Sequence, residues 1–250
     1  MLMLKTNNYI NIDLKVKDQY IYRIISIERL IELFSNKKNL LVSPRKWEDP
    51  FENFILKSKA RLSDGKIVDF GFRDNFYGQC WTRHKASDAM WRIYSPESSG
   101  VRIRTTIPKL ANSLAVGLHP WQNVQCFIGK VKYLNNKKMM DFANTVFKGK
   151  INPEAYELAK TLLIKRPAFK HENEVRLLYF EKESGKSGSI YEYDIDPHSL
   201  IDQIMIDPRL DCSEFRKVKA DIQSKTNFKG RILRSLLYAP PENMVFPFGL

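Results

Sequence analysis

The chain has 250 residues, 43% hydrophobic and 12% aromatic, which supplies a packed core and excludes a disordered polypeptide. It carries 41 Lys+Arg against 28 Asp+Glu, a formal charge of +13. Such a field attracts polyanions, although a merely solvated basic surface accounts for the composition equally well.

From the N-terminus, Gln19 to Ile25 is aromatic and β-branched and reads as a strand. Ser26 then caps a helix to about Asn36, with Ile27, Leu30, Ile31 and Phe34 on one face. Leu40 to Ser43 is a short strand stopped by Pro44, and Trp47-Glu48-Asp49-Pro50-Phe51-Glu52 is a turn opening a helix, with Pro50 in its first turn. Phe76 to Thr82 is a strand, and Ser87-Asp88 caps a helix carrying Met90, Trp91 and Tyr94. Gly100 to Thr106 alternates, with Val101, Ile103 and Thr105 on one face and Arg102 and Arg104 on the other, the pattern of a half-buried strand.

Pro108 starts the next helix and Val124 to Tyr133 forms a strand. Helices are expected over Lys138 to Phe147 and Pro153 to Lys165, then strands over Glu174 to Phe180, Ser189 to Tyr193 and Gln203 to Ile206. A helix over Cys212 to Ser224 and a strand over Arg231 to Tyr238 precede a tail from about residue 239, where Pro240-Pro241 continues neither element. No linker or repeat divides this order and βαβ alternation is absent. The expectation is one α+β domain over residues 1–250, with a split or bent, mostly antiparallel sheet, the opening strand central and helices on its flanks.

Cys80, Cys126 and Cys212 leave one thiol over in any disulfide scheme, as in a reducing compartment. Met1-Leu2-Met3-Leu4-Lys5 lacks a signal pattern, and no apolar run approaches the roughly 20 residues of a spanning helix. A cytoplasmic protein without a membrane partner is expected. His84, His119, His171 and His198 lack zinc-ligand spacing, so no metal is expected. A P-loop, a dinucleotide fingerprint and a nucleophile elbow are all missing, and Gly185-Lys186-Ser187-Gly188-Ser189 reads as a hairpin loop. Kinase, dehydrogenase, zinc-enzyme and α/β-hydrolase chemistry lose ground together.

Three polar constellations remain. Arg23 shares a strand face with Ile21 and Ile25, so it either snorkels from an edge strand or binds an anion in a cleft. Period two puts Glu172, Glu174 and Arg176 on one face with Leu178 and Phe180. A carboxylate there serves as a base or stabilises a cation, unless Glu174 and Arg176 form a structural ion pair. Trp91 and Tyr94 share a helix face and either stack on a planar ring or sit in the core.

These segments, from about Tyr20 to Pro208, resemble a bacterial family, domain of unknown function 2971. The likeness rests on the strand with Arg23 and Ser26, the turn from Trp47 to Glu52, and Cys80-Trp81-Thr82 leading to Met90-Trp91 and Tyr94. Gly100-Val101 and Phe169 with Glu172, Glu174 and Arg176 complete it. Members associate with mobile elements and anti-phage gene neighbourhoods. More distantly the chain is similar to ADP-ribosyltransferase-like domains, which use an Arg or His on the first strand, a Ser, Thr or Tyr on a middle strand and a Glu, often in E-x-E.

That resemblance implies Arg23 and Ser26 at NAD with Trp91 or Tyr94 stacked on nicotinamide, and Thr82, Glu172 and Glu174 as catalytic residues. Thr82 stands in C-W-T rather than S-T-S, and an arginine follows the two acids. The implied function is an NAD-dependent ADP-ribosyltransferase-like toxin or anti-phage effector, with a nucleic-acid or protein acceptor and an antitoxin or other defence protein as a further partner. Arg216, Lys217 and Lys219 are the nucleic-acid candidates. Two other classes stay open: a non-catalytic nucleic-acid-binding module of a defence system, and a metal-dependent nuclease using Asp49, Glu52 and Glu174.

Overall fold

A computed structural model of the chain describes residues 5–16, 19–47, 49, 51–61, 64–69, 74–118, 125–147, 153–181, 188–238 and 244–247. Glu48, Pro50, His119, the loop residues Gly185 to Ser187 and the tail prolines Pro240 and Pro241 lie outside the described residues. The first strands are β1 (Tyr9–Ile10), β2 (Tyr20–Ser26), β3 (Lys38–Val42), β4 (Lys59–Arg61), β5 (Ile67–Asp69), β6 (Phe76–Thr82) and β7 (Gly100–Thr106). They are followed by β8 (Cys126–Lys130), β9 (Lys132–Tyr133), β10 (Ile164–Lys165), β11 (Glu174–Phe180), β12 (Ile190–Asp194), β13 (Gln203–Ile206) and β14 (Arg231–Arg234). The helices are α1 (Ile27–Asn36), α2 (Phe54–Lys57), α3 (Asp88–Tyr94), α4 (Ile107–Gly117), α5 (Asn136–Phe147), α6 (Ala155–Thr161), α7 (Pro197–Leu200) and α8 (Cys212–Thr226).

The fold is α+β. Among the described residues ten strands form one sheet in the order β1-β8-β11-β6-β2-β7-β13-β14, with β3 joined to β6 and β12 to β3. Most pairs are antiparallel; β1–β8 and β13–β14 are the parallel joins of this sheet. The opening strand β2 is central, as its apolar pattern requires. Ser26 and Ser87 accept from the amides of Arg29 and Met90, so both expected caps form.

The sheet forks at its middle. β2 pairs with β7 along its whole length but meets β6 only at Tyr22 opposite Thr82, while β6 reaches β3 at Val42 opposite Gly78. Side chains tie β6 to β3 beyond that pair. Gln79 Nε2 donates to Asn39 Oδ1 at 2.8 Å and to the Leu40 carbonyl at 2.9 Å, and Trp81 Nε1 donates to Gln79 Oε1 at 2.7 Å. The two Gln79 donor bonds stand in for the backbone ladder that β6 and β3 give up as they diverge.

One face of the sheet, carrying Ile21, Ile25, Trp81, Ile103, Leu177 and Ile204, packs on α1, α4 and α8. The other carries Phe76, Leu178 and Phe127 against α6, and Ile24 against Met90 and Trp91 of α3. Some expected elements differ. The helix expected to Lys165 ends at Thr161, because Ile164 and Lys165 pair in parallel with Lys132 and Tyr133. The strand expected over Val124 to Tyr133 breaks at Val131, whose amide turns to the Glu174 carbonyl. The half-buried reading of β7 fails at Arg102, which is buried like its neighbours on the opposite face.

Candidate active site

A pocket of about 140 Å³ opens in the fork. Tyr22, Arg23 and Ile24 of β2 form one wall, and Cys80, Trp81 and Thr82 of β6 the other. Met90 and Tyr94 of α3 flank it, and Glu172 and Glu174 lie at its acidic end. Small-molecule sites usually span about 300–1,000 Å³, so this one receives a single ring or one ionic group and leaves the rest of a larger ligand outside.

Arg23 sits where β2 leaves β6. It makes no ion pair or hydrogen bond among the described residues, and desolvation lowers its pKa from the ordinary arginine value. An arginine remains charged after such a shift, so Arg23 presents an uncompensated cation to the pocket.

Glu174 is held differently. Arg176, fully buried two residues on, donates Nε to its Oε1 at 3.0 Å and Nη2 to its Oε2 at 2.8 Å. The same guanidinium donates to Glu52 at 3.1 Å and to the Leu162 carbonyl at 2.8 Å, and stacks 4.4 Å from the Trp47 ring. Trp47 reaches that position by crossing β6 at Gly78, where a Cβ would meet its ring at 2.8 Å. The Cys80 thiol lies beside Glu174, and desolvation together with that carboxylate pushes the thiol pKa well up. Burial opposes ionisation of Glu174, but Arg176 and Lys165 outweigh it and its pKa is lowered.

Lys165 completes the cluster, 2.6 Å from Glu52, 2.5 Å from Glu172 and 3.7 Å from Glu174. Three carboxylates thus share two cations. Glu172 bears the imbalance: desolvation, then Glu174 and Glu52, raise its pKa against the pull of Lys165. Among the described residues only its Oε2 has a hydrogen-bond partner, Lys165, so Glu172 retains accepting capacity that Glu174 has spent.

The period-two reading of Glu172 with Glu174 needs correction. Glu172 ends the 3-10 turn Pro167–Glu172, and Asn173 at φ 43° bends the chain into β11. The acids converge through Lys165 rather than along one strand face. Asn is the non-glycine residue best suited to that left-handed conformation. Thr82 donates Oγ1 to the Glu172 carbonyl at 2.6 Å and accepts from the His84 amide at 3.0 Å, so its hydroxyl positions Glu172.

Tyr94 is half exposed at the rim, where burial of its hydroxyl end and the Glu172 carboxylate raise its pKa. Trp91 is 1% exposed and belongs to the core with Ile24 and Met90, outside the pocket lining. Ser26 also lies outside it, capping α1. Arg216, Lys217 and Lys219 are exposed on α8, which packs through Phe215, Val218 and Ile222 against the sheet face away from α3. Of the nuclease candidates, Glu52 joins Glu174 but Asp49 turns to Arg166 at 2.9 Å. Among the described residues no group of three or more His, Cys, Asp or Glu side chains is arranged to hold a metal ion.

A family model, "Protein of unknown function (DUF2971)", matches residues 90–177. The chain is similar to DUF2971 there. That stretch contains Tyr94, Glu172, Glu174 and Arg176 and stops within β11. No curated protein matches the chain. Among solved structures, DarT of Thermus sp. 2.9 in complex with NAD+ aligns at 12% identity and TM-score 0.41, over 88% of this chain and 96% of that one. The same protein in complex with ADP-ribosylated ssDNA aligns at 11% identity and TM-score 0.41, over 88% and 95%. Among the described residues no helix is long and apolar enough to cross a membrane.

Proposed function

We propose that the pocket takes the nicotinamide end of NAD and that the protein is an ADP-ribosyltransferase-like enzyme. The observation that carries this reading is the meeting, in one fork of the sheet, of an unpaired arginine, Arg23, with a carboxylate of spare capacity, Glu172. The residues fit the ligand: a guanidinium for phosphate, a rim tyrosine for a planar ring and acids for a ribose. The small volume fits the ring alone.

NAD supplies the N-glycosidic bond to be broken and a neutral nicotinamide leaving group. Glu172 faces the sugar and stabilises the positive charge that develops on it as that bond lengthens. Arg23 holds a phosphate oxygen. Tyr94 covers the ring, and Thr82 keeps the Glu172 backbone in register with β6. Glu174 and Arg176 act behind them, fixing the acidic end. A nucleic-acid or protein acceptor then bonds to the sugar carbon that nicotinamide leaves, and the acceptor's proton passes to solvent.

The test is release of nicotinamide from NAD with single-stranded DNA, RNA and protein offered in turn. Arg23→Met should raise KM more than it lowers kcat. A toxin or anti-phage role, with an antitoxin as partner, belongs to the same proposal and predicts growth arrest on expression, relieved by Glu172→Gln. The exposed cations of α8 favour a second reading, a nucleic-acid-binding module without catalysis, which the absence of nicotinamide release would select.

A further inference from the structure

Arg102 of β7 is 4% exposed, and among the described residues neither its Nε nor its Nη2 has a hydrogen-bond partner. Its guanidinium lies 4.6 Å from the centre of the Tyr22 ring, a wall of the pocket. In register it stands opposite Ile24, another wall, and opposite Met205 of β13. Residues opposite one another in a sheet project to the same face, so Arg102 belongs to the pocket side, with α3.

Among the described residues, the acids on the adjoining segments are already committed. Asp202 binds Arg104 at 2.6 Å, and Asp207 accepts from Ser95 at 2.7 Å and from Arg209 at 2.9 and 2.7 Å. Burial lowers the Arg102 pKa to about 10, which leaves it charged at neutral pH. A buried cation with unanswered donors is costly, and such groups in folded proteins call for a partner that arrives from outside. Its neighbours on this face, Met90 and Met205, are unbranched thioethers that re-pack easily around an incoming group.

We propose that Arg102 is an anion subsite adjoining the pocket across the Tyr22 ring, and that it takes a phosphate of a nucleoside diphosphate ligand. Arg23 then holds the other phosphate, next to the inner part of the ligand that enters the fork. The identity of that inner part rests on the NAD reading; the anion chemistry does not. Arginine suits the role because its fork matches two phosphate oxygens at once.

Binding of ADP, inorganic pyrophosphate and adenosine to the full chain, measured by calorimetry, tests this. Wild type should bind ADP and pyrophosphate, and adenosine far more weakly. Arg102→Met should fold with undiminished melting temperature, because it removes an unpaired buried charge, and should weaken ADP by about tenfold or more. If Arg102→Met fails to fold, Arg102→Lys decides: weakened ADP binding supports the subsite, and wild-type affinity overturns it. Wild type that binds no ADP, binds adenosine equally well, or keeps its affinity in a folded Arg102→Met also overturns it. ADP binding that depends on Arg102, in a protein that never cleaves NAD, would sustain the subsite and reject the transferase.

Discussion

Arg176 grips both carboxylate oxygens of Glu174, its neighbour two residues back on the same strand, at 3.0 and 2.8 Å. The pair is buried, and the Arg176 cation has left water entirely. Glu174→Gln therefore strands part of that charge and should cost about 3 kcal/mol, the lower end for breaking a buried pair, since Glu52 still faces Arg176. Urea unfolding measures it. A loss below about 1 kcal/mol would mean the pair contributes little.

Glu172→Gln should be milder. Lys165 keeps Glu52 at 2.6 Å, and ionised Glu172 is already disfavoured by its neighbours. A cost of about 1 kcal/mol is expected, one charged hydrogen bond partly replaced. If instead Glu172→Gln unfolds the protein while Glu174→Gln does not, the order of the two acids given above is reversed.

Acid should expose the difference between them. The folded pKa of Glu174 is lowered, so its contribution is fully present above the unfolded value of about 4.3 and is lost as pH falls through the folded value. Asp207 behaves likewise beside Ser95 and Arg209. Glu172 has the opposite sign: its contribution is present below the unfolded value and lost as pH rises through its raised one. Stability measured from pH 6 down to 3 should fall less steeply in Glu174→Gln than in wild type. Parallel curves would contradict the assignment.

Much of this was legible in the sequence where periodicity and capping coincide. β2, β6, β7, β11 and β13 carry clear strand patterns, and Ser26 and Ser87 mark their helices. Arg23, Thr82, Tyr94, Glu172 and Glu174 stand out in the sequence and line one pocket. Lys165 and Arg102 do not stand out. Thr161 to Ile164 reads as a continuing apolar helix, so the pairing that brings Lys165 to Glu172 depends on Lys132, a residue distant in the chain. Arg102 alternates like a solvent-facing residue, and its burial comes from β2, β13 and α3 together, which no local pattern encodes. Trp91 and Tyr94 share a helix face in sequence, but packing against Ile24 draws the larger ring inward and leaves the tyrosine at the rim.

Nucleic-acid binding through α8 should be steep in salt, each phosphate contact contributing a slope of about −0.7 on single strands or about −0.9 on duplex. Charge reversal at Arg216, Lys217 and Lys219 should flatten that slope. Because α8 packs on the face away from α3, the same variant should cleave NAD at the wild-type rate when no acceptor is added. Affinity that is constant between low and high salt would remove α8 from the interface.

The most direct measurement is nicotinamide release from NAD by wild type and Glu172→Gln side by side, both verified as folded. Wild type should release nicotinamide, and kcat should be roughly 10²-fold lower in the variant with KM little changed, the scale of losing one preorganised group at the developing charge. Wild type that consumes no NAD with DNA, RNA and protein acceptors all offered, or a Glu172→Gln variant as fast as wild type, would contradict it.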